Sequence, residues 1–337
     1  MATLSDVALL AGVSISAVSR VLSDAPSARV GADTRARIRA AAVELDYRPN
    51  FAARALKFSR TNVIALVVPD LTNAIFTDMM RGVEEEAIER GYMVLLARAE
   101  GMRAGGDSIK RLIGEGRVDG VLVQVGDNVS AEDLAALLAG KVPAVIINSA
   151  QKGHIGSVAL PDSAAAEIAV QHLAGLGHRR IAFLNGSPRN YTAVHRLAGF
   201  EASMKRAGLR VDPALLTTLG YQPRQGREGL RHVLEAPSPP SAIVVANVNA
   251  AIGALSEARA LGIRVPEDLS IVAIHDSWTA ENTWPPLTTV RMPLYELGRQ
   301  AMAAISDRLS AGTVKDVIVS EPPVLIVRES TGAPRAR

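Results

Sequence analysis

Ser14, Ile15, Ser16, Ser19 and Arg20 put three hydroxyls, one aliphatic side chain and one guanidinium into seven residues of the N-terminal segment TLSDVALLAGVSISAVSRVL, 3–22. A guanidinium can fork onto a guanine edge or a phosphate, and serine hydroxyls suit phosphates or base edges. Presented on one helix face, such a row could read the major groove of duplex DNA. The surrounding residues supply the helix. Thr3 caps a first helix and Asp6, three residues on, completes a capping box. Val7, Ala8 and Ala11 form its apolar face. Gly12 provides the turn, where a positive φ is cheap only without a Cβ. Ser14 caps a second helix, whose Val18, Val21 and Leu22 point back, with Val13, at the first. Two short helices about a tight turn are the form that delivers a helix to DNA. The same pattern also fits a helical hairpin with a solvated outer face.

Charge supports the first reading. Residues 1–60 carry nine Lys/Arg against five Asp/Glu, while the other 277 carry 28 against 29. The excess positive charge of the chain (net +3) therefore lies in the segment with the turn, where phosphate attraction would be needed. The 337 residues predict two or three domains. The absence of cysteine excludes disulfides, thiolate metal sites and thiol nucleophiles. Asp6 and Gly12 interrupt any signal-like N-terminus, and no apolar run reaches membrane-spanning length, so the expected location is cytoplasmic and nucleoid-associated, with no membrane partner.

A third helix is predicted from about Asp33 to Leu45, stopped at Tyr47-Arg48-Pro49. Asn50 to Lys57 is helix-prone behind a good cap but only two turns long, and so marginal alone. From residue 62 the rhythm becomes apolar strands alternating with amphipathic helices: 62–70, 92–100, 119–126, 143–150, 179–186, 241–247 and 270–276. That is the pattern of parallel α/β sheets covered on both faces. Gly82-Val-Glu with Gly91, and Gly199-Phe-Glu with Gly208, recur at one spacing just after the first strand of each run. We read two similar lobes facing across a cleft, with the chain crossing near 161 and 290. Ligands of such sheets sit beyond the carboxyl ends of the strands, which here offer Asp70 to Phe76, Gln124, Asn148, Asn185 to Arg196, Asn247 and His275-Asp276. These polar groups suit a small polar ligand; they would also serve as helix caps. His172 and His178 flank a helix end and read as structural. No Walker A, dinucleotide, nucleophile-elbow or zinc-protease motif is present, so no catalytic residue, metal or cofactor is expected and the chain is not read as an enzyme.

The segments TLSDVALLAGVSISAVSRVL, TRARIRAAAVELDYRPNFAARAL, NVIALVVPDLTNAIF, VDGVLV, HLAGLGHRRIAFLNG, RLAGF and PPLTTVRMPLYELG resemble, in order and over nearly the whole chain, the lactose repressor / galactose repressor family of bacterial regulators. The resemblance implies a helix-turn-helix head (1–49), a hinge helix and linker (50–61), and a two-lobed periplasmic-binding-protein-like effector and dimerisation domain with parallel sheets (62–337). It implies a homodimer on near-palindromic operator DNA, controlled by a small metabolite. Carried over by position, Ile15 and Ser16 would meet base edges, Ser5, Ser14 and Ser19 would hold phosphates, and Arg20 would reach either. Asn50, Ala53, Arg54 and Leu56 would belong to the hinge helix, with Leu56 as a minor-groove wedge. Phe76, Gln124, Asn148, Asn190, Thr192, Arg196, Tyr221, Asn247 and His275 would line the effector cleft. No leucine heptad follows VLIVRESTGAPRAR, so a dimer and no tetramer is expected.

The chain departs from that pattern in the cleft. His275 stands where an aspartate is usual, Asn247-Val248 where Asn-Asp is common, and Pro161-Asp162 where Asp-Asn is. Fewer carboxylates beside a retained Arg196 predict an effector carrying a carboxylate or phosphate; the competing reading makes His275 a neutral acceptor for a sugar hydroxyl. A solute-binding protein or an α/β enzyme would account for residues 62–330 but leave 1–57 without a use.

Overall fold

The computed structural model describes residues 2–22, 30–48, 53, 55–56, 59–71, 73–98, 111, 113–124, 142–149, 155–313 and 315–335. It divides into two compact units, Met1–Thr61 and Asn62–Arg337.

The first unit holds α1 (Leu4–Ala11), α2 (Ile15–Leu22) and α3 (Ala32–Glu44). Thr3 and Asp6 form the reciprocal capping box, and Gly12 closes α1 at φ 64. Ser14 Oγ accepts from Ala17 N at 3.3 Å. The two helices meet at 105°, within the range of DNA-reading pairs. Val7, Ala8, Ala11, Val18 and Val21 pack with Ile38, Ala41 and Ala42 of α3. That core uses every apolar position facing inward, which leaves the polar face of α2 outside. Ala53, Ala55 and Leu56 have helical backbone; Asn50, Arg54 and Lys57 lie outside the described residues.

The second unit contains two six-stranded sheets of one plan. The first lobe has β1 (Val63–Val68), β2 (Met93–Arg98), β3 (Gly120–Gln124), β4 (Ala144–Ile147), β5 (Gly156–Ala159) and, later in the chain, β11 (Asp316–Ile318), in the order β11-β5-β4-β3-β1-β2. The second has β6 (Ile181–Leu184), β7 (Leu216–Thr217), β8 (Ala242–Val245), β9 (Ser270–Ile274), β10 (Thr288–Arg291) and β12 (Val324–Ile326), in the order β12-β10-β9-β8-β6-β7. All pairings are parallel except β10 with β12. In each sheet the chain order reverses beside the first strand, and that switch point is where a crevice opens. The seven apolar runs each contain a strand; β5, β7, β10, β11 and β12 went unread because runs of two to four residues are too short to show a period.

The helices are α4 (Phe76–Glu89), α5 (Asp162–Gly175), α6 (Tyr191–Arg206), α7 (Pro223–Leu234), α8 (Val248–Ala260), α9 (Trp278–Glu281) and α10 (Leu294–Ala311). The chain passes between lobes three times. After β5 of the first lobe, α5 packs on the second; after β10 of the second, α10 packs on the first; β11 and β12 then divide between them. The first two crossings share one device. Pro161 (φ −76, ψ 63) and Pro293 (φ −77, ψ 61) each centre an inverse γ-turn, closed by Asp162 N to Leu160 O at 2.9 Å and Leu294 N to Met292 O at 2.8 Å. The first glycines of the two recurring pairs share one job: Gly82 of α4 abuts the Tyr295 carbonyl on α10, and Gly199 of α6 abuts Ser163 on α5, with no room for a Cβ at either; the second, Gly91 and Gly208, are left-handed (φ 74 and 68). Among the described residues no single helix is long and apolar enough to cross a membrane, and no group of three His, Cys, Asp or Glu could hold a metal ion.

The end of the chain is pinned to the second lobe. The buried His178 bonds Gly332 O at 2.9 Å through Nε2 and Ser241 Oγ at 2.8 Å through Nδ1. A carbonyl only accepts, so Nε2 carries the proton and Nδ1 accepts. His172 Nε2 meets Thr331 Oγ1 at 2.9 Å. Burial holds both imidazoles below their ordinary 6.5.

Two predictions follow from this packing. Gly298 of α10 presses on the Met79 carbonyl of α4, so Gly298→Ala should lower the stability of the second unit by about 1–3 kcal/mol, read as a drop in its thermal midpoint. Below pH 6.5 the unfolded histidines take up protons that the native ones refuse. Stability is therefore full above that pH and falls as acid is added, by up to about 1.4 kcal/mol per pH unit for each such group. Melting curves between about pH 7.5 and 5 should show this decline, with a shallower slope for His178→Gln.

Candidate functional site

The first candidate surface is the outer face of α2. Ser5, Ser14, Ile15, Ser16 and Arg20 are exposed and Ser19 is half-buried. Ser14 Oγ and Ser16 Oγ stand 3.1 Å apart, and Arg20 Nε donates to Ser16 O at 3.1 Å, laying the guanidinium along its own helix. A hydroxyl pair and a guanidinium on one exposed helix face are groups that bond phosphates and base edges. Ala53 is exposed and Leu56 is 86% exposed.

The second is a cavity of about 300 Å³ between the lobes of the second unit. All nine cleft residues named from the sequence line it. From the first lobe come Phe76 at the start of α4, Gln124 at the end of β3 and Asn148 after β4. From the second come Asn190, Thr192 and Arg196 of the first turns of α6, Tyr221 before α7, Asn247 at the cap of α8 and His275 after β9. Asp70, Asn73 and Ile75, from the strand-end run Asp70 to Phe76, also line it, as do Pro69, Gln222, Gln225, Leu294 and Leu297, which the sequence did not single out. Leu294 and Leu297 enter because the second crossing begins α10 at the cleft wall, a position the Pro293 turn could have flagged. Asn249 Nδ2 donates to Asn73 Oδ1 at 3.1 Å, a direct bond between lobes.

Local structure fixes what each group can offer. Asn148 and His275 occupy matching places, each just past a strand and each left-handed (φ 52 and 68). Both donate their amide to the neighbouring strand, Asn148 N to Val158 O at 2.7 Å and His275 N to Val290 O at 2.9 Å. Asn and His are among the few residues that adopt this backbone readily. Asn148 Oδ1 accepts from Leu160 N at 3.0 Å and Asn247 Oδ1 from Ala250 N at 2.8 Å, so each carbonyl is engaged and the amide NH2 remains to offer. Asn190 Oδ1 accepts from Thr192 N and Oγ1, and Thr192 Oγ1 lies 2.9 Å from the Tyr221 hydroxyl. The Tyr221 ring rests on Gly186, where a Cβ would collide with it.

Arg196 is not the unpaired cation that the charge argument from the sequence took it to be. It is 2% exposed and bound to Asp162, with Nε at 2.8 Å and Nη2 at 2.7 Å from Oδ1. Its Nη1 donates to Ala246 O and its Nη2 reaches His275 Nε2 at 2.8 Å. Asp162 neutralises the guanidinium, so the cleft does not hold the uncompensated positive charge on which an anionic effector was expected. The pairing was missed because Asp162 and Arg196 lie on different helices 34 residues apart. Burial pushes the Asp162 carboxyl upward while Arg196 opposes it. Burial, then the charge of Arg196, hold His275 well below its ordinary value, so it is neutral.

Comparison with known proteins matches both parts. Residues 3–50 fit the model of bacterial regulatory proteins of the lacI family, and residues 170–331 that of the periplasmic binding protein-like domain. The HTH-type transcriptional regulator DegA of Bacillus subtilis is 32% identical over 336 residues, 98% of each chain. A LacI family transcriptional regulator from Mycobacterium smegmatis is 42% identical at a TM-score of 0.76, covering 81% of this chain and 100% of that one. The lac repressor dimer bound to operator and the anti-inducer ONPF is 28% identical at a TM-score of 0.80, covering 98% and 99%. The likeness runs through the head as well as the lobes, which a solute-binding protein or an α/β enzyme would not require. This chain belongs to the lacI family of bacterial regulatory proteins and is a DNA-binding transcriptional regulator.

Proposed function

We propose that the regulator is a repressor whose dimer grips a near-palindromic operator and whose grip responds to a small neutral, hydroxylated molecule, such as a sugar, held between the lobes. One observation carries this reading: a single chain joins an exposed helix-turn-helix face to a cleft where nine polar and aromatic residues converge. Ser5, Ser14, Ser19 and Arg20 would engage the backbone, with Ile15 and Ser16 at base edges. Asn50, Ala53, Arg54 and Leu56 would form a hinge helix at the minor groove. The lac repressor supports the dimer, being a dimer on its operator. So do Met93, Leu95 and Leu96 on edge strand β2, which are exposed and would be covered by a second copy.

Neutrality follows from the pairing of Arg196 with Asp162. An anion in the cleft would find Arg196 already paired, whereas hydroxyls could use the amides of Asn148 and Asn247, the carbonyl of Gln124 and the carboxylate of Asp70, which lines the same cavity. Phe76, Ile75, Leu294 and Leu297 would take the apolar face of a ring.

Selection of bound sites from a random duplex library should yield near-palindromes. Against such a site, Arg20→Ala and Leu56→Ala should each weaken binding by about tenfold or more while leaving ligand affinity unchanged; full retention in both would refute the assignments. Calorimetry with matched sugars, sugar acids and sugar phosphates should find binding among the neutral members alone. Tight binding of an acid or phosphate would restore the anionic reading and require Arg196 to leave Asp162.

A further inference from the structure

His275 and Arg196 both line the cavity, and the two ring nitrogens of His275 are not equivalent. Arg196 Nη2 lies 2.8 Å from His275 Nε2. A guanidinium has no acceptor, so Nε2 must accept and the ring proton must sit on Nδ1. Nδ1 is buried and has no partner among the described residues, in a residue that lines the cavity and is 4% exposed. The polarity is imposed from behind. Asp162 Oδ1 accepts from both Nε and Nη2 of Arg196, and the Ala246 carbonyl takes Nη1, which leaves the guanidinium one orientation. His275 in turn is held by its left-handed backbone and its amide bond to Val290.

We infer that the Asp162–Arg196–His275 chain is a specificity device: it fixes His275 as an Nδ1–H donor, so the part of the ligand that meets it is a hydrogen-bond acceptor and not an ammonium or other donor-only group. The inference rests on the cleft being the ligand site and names the chemistry of one end of it. It also replaces the reading of His275 as acceptor for a hydroxyl, because its lone acceptor atom already serves Arg196. A carboxylate at this place would welcome amines and hydroxyl protons; this imidazole turns them away. Asp162 acts only through Arg196 and is a positioning residue.

Two measurements on the full chain test this. In the first, 15N-labelled histidine is read at about pH 7 by long-range proton–nitrogen correlation, with His275 assigned by its loss in His275→Asn. A proton on Nδ1 and none on Nε2 is expected; an Nε2–H ring or a doubly protonated one overturns the proposal. In the second, thermal-shift titrations compare neutral aldoses and aldonolactones with the matching amino sugars. Wild type should prefer the neutral series. His275→Asn, whose NH2 can take the place of Nδ1–H, should keep that preference. His275→Asp should move it toward amino sugars by about tenfold or more. Preference of the wild type for an amino sugar would overturn the proposal. If no sugar bound at all, the ligand class proposed above would fail, and the tautomer would still decide this inference by itself.

Discussion

One guanidinium ties the second unit together. Arg196 projects from α6 and binds the first residue of the crossing helix α5, the end of β8 and the residue after β9. Those partners are far apart along the chain: Asp162, Ala246 and His275 lie 34, 50 and 79 residues from Arg196. A buried pair of this kind is weak as a source of stability, because desolvation offsets most of the attraction, while removing one partner strands a charge at a cost of about 3–5 kcal/mol. Its value is therefore geometric. It sets the floor of the cleft in one arrangement, and the tautomer of His275, the orientation of the Ala246 carbonyl and the start of α5 follow from it.

The same floor exposes an asymmetry beneath the repeated plan of the lobes. Pro161 and Pro293 make matching turns, and the residues that follow them open α5 and α10 at matching places. One is Asp162, held by Arg196; the other is Leu294, which faces the cavity. Asn148 and His275 match in the same way, as two left-handed residues with different side chains. Duplicated architecture thus presents a polar wall from the second lobe and a mixed one from the first, where Phe76, Ile75, Leu294 and Leu297 stand beside Asp70, Asn73, Gln124 and Asn148.

Much of this was legible in the sequence because the signals were local. The capping box at Thr3, the left-handed Gly12 and the cap at Ser14 each need only four residues to declare themselves, and all three stand in the structure. The apolar runs announced the sheets, and the spacing of Gly82 and Gly199 announced the repeat, since a helix pressed against a carbonyl tolerates only glycine at that turn. The nine cleft positions came from family pattern, and the strand ends brought them together. What escaped was compensation. Counting carboxylates at familiar positions made Arg196 look free, when Asp162 had moved into contact with it from another helix. Charge balance in a buried site depends on which side chains touch, and no spacing along the chain records a contact across 34 residues. The short strands escaped for a different reason: β5 and β10 owe their form to neighbours on both sides, not to their own residues.

Placing the polar floor at a crossing has a mechanical consequence. The lobes are joined by the turns at Pro161 and Pro293 and by the passage from β11 to β12, so any change in their separation must be absorbed there. Asp162 follows the first of these turns directly. His275 is joined through Arg196 to Asp162, the residue after that turn, while the Asn73–Asn249 bond spans the lobes directly. Asn73 and Phe76 lie just beyond β1, the strand that begins as the first unit ends. The ligand can alter the head only through its differential affinity for two separations of the lobes. Any widening of the gap has to break the Asn73–Asn249 bond, a direct link between the lobes made without charge.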